Sequence, residues 1–187
     1  MRKTAKLLAI AGFGLASIFN LYAGSLAGVT LPDTVQPGGT TLVLNGVGLR
    51  TKYMVKVYVA GLYVGQKSSD TGLILREDAP KRIVMQFVHG VSKSQLTDGF
   101  SESFNDNTPD AAKTMKSDID RFFGALDPVK DGDQMVFTYI PGTGTSFAIN
   151  GTEKLTIPGP AFGQMLFSVW LGPKPPNAGL KKGLLGQ

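Results

Sequence analysis

Cysteine is absent from this chain of 187 residues, and histidine occurs only once, at His89. Without cysteine, the sequence excludes disulfides, thiolate metal sites and a cysteine nucleophile. A single histidine without a neighbouring acidic cluster argues against a zinc site, and it excludes a Ser-His-Asp triad unless His89 is the base. We therefore expect no metal, no cofactor and a fold that depends on its hydrophobic core.

The chain also lacks a basic block with interleaved aromatic residues. The 19 Lys and Arg residues and 14 Asp and Glu residues give a net charge of +5. Three of the basic residues lie within the first 27 positions, and the remainder of the chain has 16 basic and 14 acidic residues, a net charge of +2. This balance does not favour nucleic acid as a partner.

No charged residue occurs from Leu7 to Tyr22, directly after the positive start formed by Arg2, Lys3 and Lys6. This run of roughly 16 residues is shorter than the ~20 that a membrane span needs. The pattern of a positive start followed by an apolar run is typical of a secretory signal peptide. An uncleaved membrane anchor is the alternative interpretation.

Two small-residue tripeptides follow the apolar run, Leu21-Tyr22-Ala23 and Ser25-Leu26-Ala27. Both resemble A-x-A cleavage sites, and we favour cleavage after Ala27 over cleavage after Ala23. Residues 1–27 are thus predicted to be a cleaved signal peptide, and the mature protein is expected in the periplasm of a Gram-negative cell or outside it.

The remaining residues, 28–187, suffice for one hydrophobic core and one domain. No segment in them is long and apolar enough for us to expect a transmembrane helix. Strands are predicted at 40–47, 50–64, 82–88, 134–140, 146–149 and 153–157, with a short apolar patch at 73–75. Helices are predicted from Ser92, from Asp110, from Pro160 and over 178–185.

Local signals support several of these elements. Ser92 and Gln95 have the spacing of a capping box, and Leu96, Phe100 and Phe104 recur at helical spacing after it. Asn150-Gly151 between apolar runs predicts a hairpin. Strands and helices that are segregated along the chain indicate an α+β fold with an antiparallel sheet packed by a helical layer. We expect a pocket on the sheet face opposite the helices.

Arg50 stands at the start of the predicted strand 50–64, which is apolar on nearly both sides and therefore central in its sheet. A buried guanidinium needs an anionic or carbonyl partner. From the residues alone, Arg50 either pairs with an acid of this chain, extends to solvent or binds a ligand.

The chain resembles the chalcone isomerase-like superfamily, and more narrowly its exported bacterial branch. The resemblance rests on Gly48-Leu49-Arg50, on the strand from Val57 to Tyr63, and on Phe167 to Gly172 followed by Leu180-Lys181. It covers about residues 29–186 and implies an open-faced β-sandwich, in which a long antiparallel sheet is packed by helices.

The resemblance assigns site residues by position. Arg50 matches the arginine that anchors the substrate and stabilises the oxyanion in plant chalcone isomerases. The family's hydroxyl and amide partners are mostly replaced, and the corresponding positions here are Tyr58, Leu96, Ser103 and Ser168 or Val169. Losing one such donor typically lowers the rate by about 10²–10³, so efficient chalcone cyclisation is not expected.

A second branch of the superfamily binds fatty acids with the same arginine and a tyrosine on the following strand, for which Arg50 and Tyr63 are the candidates. The first hypothesis is thus a noncatalytic exported protein that binds a small apolar carboxylate or lipid-like ligand. The alternatives are an isomerase (intramolecular lyase) that uses Arg50 as its catalytic group, and a structural or chaperone-like periplasmic protein without a ligand. The sequence identifies no periplasmic protein partner.

Overall fold

The computed structural model describes residues 22–187, and it contains nine strands and six α-helices in that range. The strands are β1 (Tyr22–Leu26), β2 (Val29–Pro32), β3 (Thr34–Val35), β4 (Leu42–Lys52), β5 (Val55–Val64), β6 (Lys81–Phe87), β7 (Gln134–Ile140), β8 (Gly144–Ile149) and β9 (Thr152–Ile157). The helices are α1 (Thr71–Arg76), α2 (Lys93–Asn107), α3 (Pro109–Thr114), α4 (Lys116–Ala125), α5 (Pro160–Leu171) and α6 (Ala178–Leu184).

Seven strands form one antiparallel sheet in the order β3-β4-β5-β6-β7-β8-β9. Each strand pairs with the next one in the chain, with α1 inserted between β5 and β6 and three helices inserted between β6 and β7. Strands β1 and β2 form a separate hairpin. The α+β class and the long antiparallel sheet predicted from the sequence are confirmed.

Strand β5 is buried on both sides, as the sequence predicted. Its residues Tyr58, Ala60, Leu62 and Val64 belong to the large core, which lies between the sheet and the helices. Tyr63 points to the other side, into a small core that also contains Leu31, Leu42, Leu44 and Val84. Because side chains alternate along a strand, β5 contributes to both cores.

The predicted strand 50–64 is wrong in one respect, since it consists of the end of β4, a two-residue turn and β5. Tyr53 and Met54 form the turn, with positive φ angles of 49° and 68°. Large residues seldom adopt this backbone conformation. Because Tyr53 and Met54 stand where a hairpin turn usually has Asn-Gly or Asp-Gly, the sequence carries no signal for a turn here. Arg50 lies near the end of β4, where its Cα pairs with that of Tyr58 on β5.

Helices α2 and α5 cover the large core beside the site described below. Ser92 and Gln95 form the predicted capping box of α2, and Leu96, Phe100 and Phe104 are its buried stripe. Nine of the 12 residues of α5 are buried, because other elements surround it. The predicted helix from Asp110 is interrupted at Met115, which separates α3 from α4.

Two further elements differ from the prediction. The apolar patch at 73–75 lies in α1, whose first turn is capped by the side chain of Asp70. The lead-in to β4 contains the short strand β3 and one turn of 3-10 helix at Pro37–Gly39. Short elements of this kind have too few residues to show a clear hydrophobic period.

The predicted signal peptide falls largely outside the described residues, and its final residues form β1 and the turn to β2. Within 22–187, no helix is long and apolar enough to cross a membrane.

Candidate functional site

A cavity of about 480 Å³ lies between the sheet and the helical layer. Its walls come from the facing ends of β4, β5 and β6, from α2, from the end of α5 and from the loop at Lys174–Pro176. The sequence led us to expect the pocket on the opposite face of the sheet. That expectation is wrong, because the β1–β2 hairpin packs there through residues such as Leu31.

The inner wall of the cavity is aromatic and aliphatic. Phe87 lies edge-on to Tyr58 with ring centroids 5.6 Å apart, and Phe100 lies edge-on to Trp170 at 6.1 Å. Further apolar lining residues are Val57, Met85, Leu96 and Val169. Such a surface accepts hydrocarbon and excludes water, which is the usual character of a small-molecule pocket.

Arg50, near the end of β4, lines the cavity beside this wall and is partly buried. Its Nη1 donates hydrogen bonds to the carbonyl oxygens of Thr51 at 2.6 Å and Pro176 at 2.8 Å. The four ion pairs among residues 22–187 all involve other side chains. Within this range, Arg50 therefore has carbonyl partners rather than the acidic partner that was one of the sequence-based alternatives.

Tyr58 lies beside Arg50 because the two residues are paired across β4 and β5, and paired residues share a side of the sheet. Its Oη accepts a hydrogen bond of 3.1 Å from Trp170 Nε1. Burial raises the pKa of Tyr58 to about 12, although the hydrogen bond from Trp170 and the charge of Arg50 both act to lower it. Tyr58 is thus a neutral hydroxyl whose proton can be donated to a ligand.

The rim of the cavity is polar and exposed. It carries His89 just after β6, Glu102 and Ser103 on α2, and an ion pair of 3.2 Å between Lys174 and Asp106. Both acids, Glu102 and Asp106, are exposed. Asp106 pairs with Lys174, and neither acid forms an ion pair with Arg50.

The structure brings some of the expected site residues together and separates others. Arg50, Tyr58, Leu96 and Ser103 all line the cavity. Tyr63 lies on the opposite side of the sheet, where its hydroxyl donates to the carbonyl of Pro32 at 2.9 Å. The expected pair of Arg50 and Tyr63 therefore does not converge on one ligand, and Tyr58 has the position that we assigned to Tyr63.

Ser168 and Val169, the two candidates on α5, also differ in position. The Ser168 hydroxyl is buried and donates to the carbonyl of Met165 in its own helix at 2.6 Å, and Ser168 does not line the cavity. Val169 does line it. The α5 position that the family resemblance associates with a hydroxyl therefore presents a methyl surface to the cavity.

Several lining residues were not anticipated from the sequence. Lys52, Tyr53 and Val55 around the turn after β4 contribute to the cavity, as do Pro175 and Pro176. Pro176 could have been suspected from the Pro-Lys-Pro-Pro stretch after α5, since such a run fixes an extended loop. The turn at Tyr53 has no comparable sequence signal.

A metal site is not evident in the part of the chain that the structure describes, since no three metal-ligating side chains cluster there. Inside its polar rim, the cavity offers the guanidinium of Arg50, the phenol of Tyr58 and a hydrocarbon surface. This donor set suits a ligand with an apolar body and one anionic or carbonyl oxygen end.

Comparison with known proteins agrees with the fold described above. A family model described as chalcone isomerase-like matches residues 23–186. Among solved structures, the chain is similar to a fatty-acid binding protein from Arabidopsis thaliana, with a TM-score of 0.69 and 16% sequence identity over 88% of this chain and 96% of that one. At this identity, the likeness shows the fold alone. No curated protein sequence matches the chain.

Proposed function

The chain belongs to the chalcone isomerase-like family, and we propose that it is a noncatalytic binding protein that holds a small apolar carboxylate, such as a fatty acid, in the cavity beside Arg50. The observation that carries this proposal is a guanidinium at an apolar cavity without an acidic partner among residues 22–187.

The free donors of Arg50 define the ligand end that fits. Both hydrogen bonds of the guanidinium start from Nη1, so Nη2 and Nε have no acceptor within the described residues. Two adjacent N–H donors match the two oxygens of a carboxylate. The bonds to Thr51 and Pro176 hold the plane of the guanidinium, which lowers the entropy lost when a ligand binds.

Tyr58 supplies the next donor, and the inner wall supplies the hydrocarbon contact. The Tyr58 oxygen accepts a hydrogen bond from Trp170. The hydroxyl proton of Tyr58 is not used in this bond and is available to a ligand. Beyond it, Phe87, Leu96 and Phe100 form a surface on which an acyl chain is removed from water. The structurally similar Arabidopsis protein is a fatty-acid binding protein, which supports the same ligand class here.

An isomerase that uses Arg50 and Tyr58 to stabilise an oxyanion is the competing function, since both groups face the cavity as donors. Leu96 and Val169 add no donor to this pair, and preorganised donors supply much of the rate enhancement in such sites. The loss of chalcone absorbance separates the two functions. If the protein turns over chalcone well above the uncatalysed rate and Arg50→Ala abolishes this turnover, the catalytic function replaces the binding proposal.

Export to the periplasm is part of the proposal and rests on the sequence pattern of residues 1–27. The periplasm permits disulfides, but this chain has no cysteine, so the exported protein must be held together by its hydrophobic core.

The binding proposal is tested by mass spectrometry of small molecules that copurify with the protein, followed by titration with a long-chain fatty acid and with the alcohol of the same length. Trp170 is the only tryptophan and lines the cavity, so its fluorescence reports occupancy. The acid should bind more tightly than the alcohol.

Arg50→Ala should weaken binding of the acid by about 10- to 100-fold, because a charge-assisted hydrogen bond contributes roughly 1.5–3 kcal/mol, and it should leave binding of the alcohol nearly unchanged. Arg121→Ala is the matched control, since Arg121 forms only an exposed pair with Asp118. A large loss of thermal stability in Arg50→Ala with no difference between acid and alcohol for the parent would show that Arg50 is structural.

A further inference from the structure

The turn between β4 and β5 exposes three consecutive apolar side chains. Tyr53 is 89% exposed, Met54 98% and Val55 44%. Lys52 and Lys56 flank them and are also exposed. We refer to residues 52–56 as the hairpin tip. An exposed cluster of this kind indicates an interaction surface, because it contributes nothing to the core.

The backbone of the hairpin tip is costly for its sequence. Tyr53 and Met54 both have positive φ, a conformation that favours glycine and asparagine. The chain uses the favourable pair elsewhere, since Asn150-Gly151 forms the turn between β8 and β9 with φ angles of 50° and 77°. Large apolar side chains in a strained and exposed turn are better explained by an interaction than by stability.

The charge of the hairpin tip is uniformly positive. It has two lysines and no acid, and neither lysine forms an ion pair within the range 22–187. Lys52 Nζ lies 5.8 Å from the centroid of the Tyr53 ring. Exposed apolar side chains flanked by lysines are typical of a segment that enters the interface of an anionic bilayer.

The hairpin tip is also continuous with the cavity. Lys52, Tyr53 and Val55 line the cavity together with Arg50. Because these lining residues are exposed at the tip and others are buried at the wall, the cavity opens to solvent on this side. A surface bound by the tip would therefore lie at the cavity mouth.

We infer that the hairpin tip docks the protein on an anionic lipid surface, with Tyr53 and Met54 entering the interface and Lys52 and Lys56 contacting the head groups. The tip is a protruding turn rather than a groove, which suits a deformable lipid surface better than a folded partner. Docking requires no ligand in the cavity, so it can be tested independently of the proposed fatty-acid binding.

The first test is sedimentation with vesicles of phosphatidylcholine, alone and mixed with phosphatidylglycerol. The protein is used as recovered from the expressing cell with its amino terminus determined, so that residues preceding the fold are identical in all variants. Binding should be stronger to the anionic vesicles. Each lysine near such a surface contributes about 1 kcal/mol, or about fivefold, so Lys52→Gln with Lys56→Gln should weaken binding by roughly 25-fold.

Tyr53→Asn with Met54→Gly separates docking from folding. This pair introduces the preferred turn sequence and relieves the positive φ strain, so the variant should fold and melt no lower than the parent. It should lose about tenfold or more of its vesicle affinity because two apolar side chains are removed. Lys67→Gln with Lys116→Gln is the charge control, since both lysines are exposed away from the tip.

The second test uses the absence of cysteine. Met54→Cys carries a single environment-sensitive label at the hairpin tip, and Leu73→Cys carries it at another exposed apolar position, 48% exposed on α1. Anionic vesicles should shift the emission of the first label to the blue and leave the second unchanged. Equal vesicle affinity of the parent and the Asn-Gly variant, or equal emission of both labels, would overturn the docking inference.

The outcomes also distinguish docking from ligand binding. If Arg50→Ala still binds vesicles but has lost its affinity for the fatty acid, both the docking inference and the proposed fatty-acid binding are supported. Tight fatty-acid binding without vesicle binding would overturn docking and leave the proposed function standing.

Discussion

Trp170 Nε1 donates a hydrogen bond of 3.1 Å to Tyr58 Oη, and this bond joins α5 to β5 at the inner wall of the cavity. Both side chains are buried. Without this bond, each would have given up its hydrogen bonds to water on folding without a replacement. The bond also fixes the orientation of the phenol beside Arg50. A single interaction thus supports the fold and prepares a donor for a ligand.

Tyr58→Phe and Tyr63→Phe form a matched pair, because each removes one buried hydroxyl from β5. Tyr58→Phe should weaken fatty-acid binding severalfold, since it removes a neutral donor worth about 0.5–1.5 kcal/mol, and it should change the emission of Trp170. Tyr63→Phe should lower the free energy of unfolding by about 1 kcal/mol through the lost bond to Pro32, with no effect on ligand affinity. Fluorescence titration and urea unfolding check both effects. Weakened ligand binding in Tyr63→Phe would contradict the placement of the site.

Alkaline pH should reduce stability through Tyr58. Burial favours the neutral phenol and raises the folded-state pKa from 10.0 to about 12. The stabilisation is therefore complete below pH 10 and is lost as the pH rises through about 12. A shift of this size corresponds to a stabilisation of about 3 kcal/mol.

Urea unfolding at a series of pH values between these limits measures the slope. Tyr63 and Tyr139, whose pKa values burial also raises, act in the same direction. Tyr58→Phe should therefore have a smaller slope than the parent but not a flat one. An unchanged slope would show that Tyr58 ionises freely in the folded state.

Gly46→Ala should destabilise the fold, because α6 lies directly against the backbone of β4. A Cβ at Gly46 would be 2.1 Å from the carbonyl oxygen of Gly183, and displacing α6 should lower the free energy of unfolding by about 1–3 kcal/mol. Gly124→Ala is the control, since no atom lies within 4 Å of a Cβ there. In α4 it should raise stability by about 0.5–1 kcal/mol. Denaturant unfolding of both variants measures these effects. Equal unfolding midpoints for Gly46→Ala and Gly124→Ala would contradict the prediction.

The sequence pattern favours cleavage after Ala27, but the pairing of β1 with β2 leads us to predict cleavage after Ala23, with the mature amino terminus at Gly24. Cleavage after Ala27 would remove β1, whereas cleavage after Ala23 leaves Gly24 to Leu26 paired with β2. Gly24 also approaches Val47 so closely that a Cβ would lie 2.4 Å from Val47 Cγ2. Intact mass and N-terminal sequencing of exported protein distinguish the two sites. Recovery of protein that still begins at Met1 would contradict export.

Much of the fold follows from local sequence signals. Strand β7 has the predicted bounds of 134–140, because it is rich in β-branched and aromatic residues and turn residues limit it on both sides. The capping box at Ser92 is formed as predicted, since its two hydrogen bonds connect residues only three apart. The hairpin at Asn150-Gly151 is likewise local. Such features are predictable because their energies arise from neighbouring residues.

The turn at Tyr53 and Met54 could not be predicted, because neither residue favours positive φ. The β4–β5 pairing imposes the turn, so tertiary structure overrides local preference there. The same holds for the cavity face, which depends on where the β1–β2 hairpin and the helices pack.

The sequence by itself determined that Arg50 is the candidate anchor and that Tyr58 and Tyr63, five residues apart on one strand, face opposite sides. Only the tertiary structure decided which tyrosine accompanies Arg50. Asn45 forms a bulge in β4, since Leu44 pairs with Tyr63 while Gly46 already pairs with Leu62. The extra residue reverses the side that the residues from Gly46 to Arg50 face. Hydrogen bonds from Asn45 to the carbonyls of Ser68 and Leu184 hold the bulge, and through it Arg50 reaches the cavity beside Tyr58.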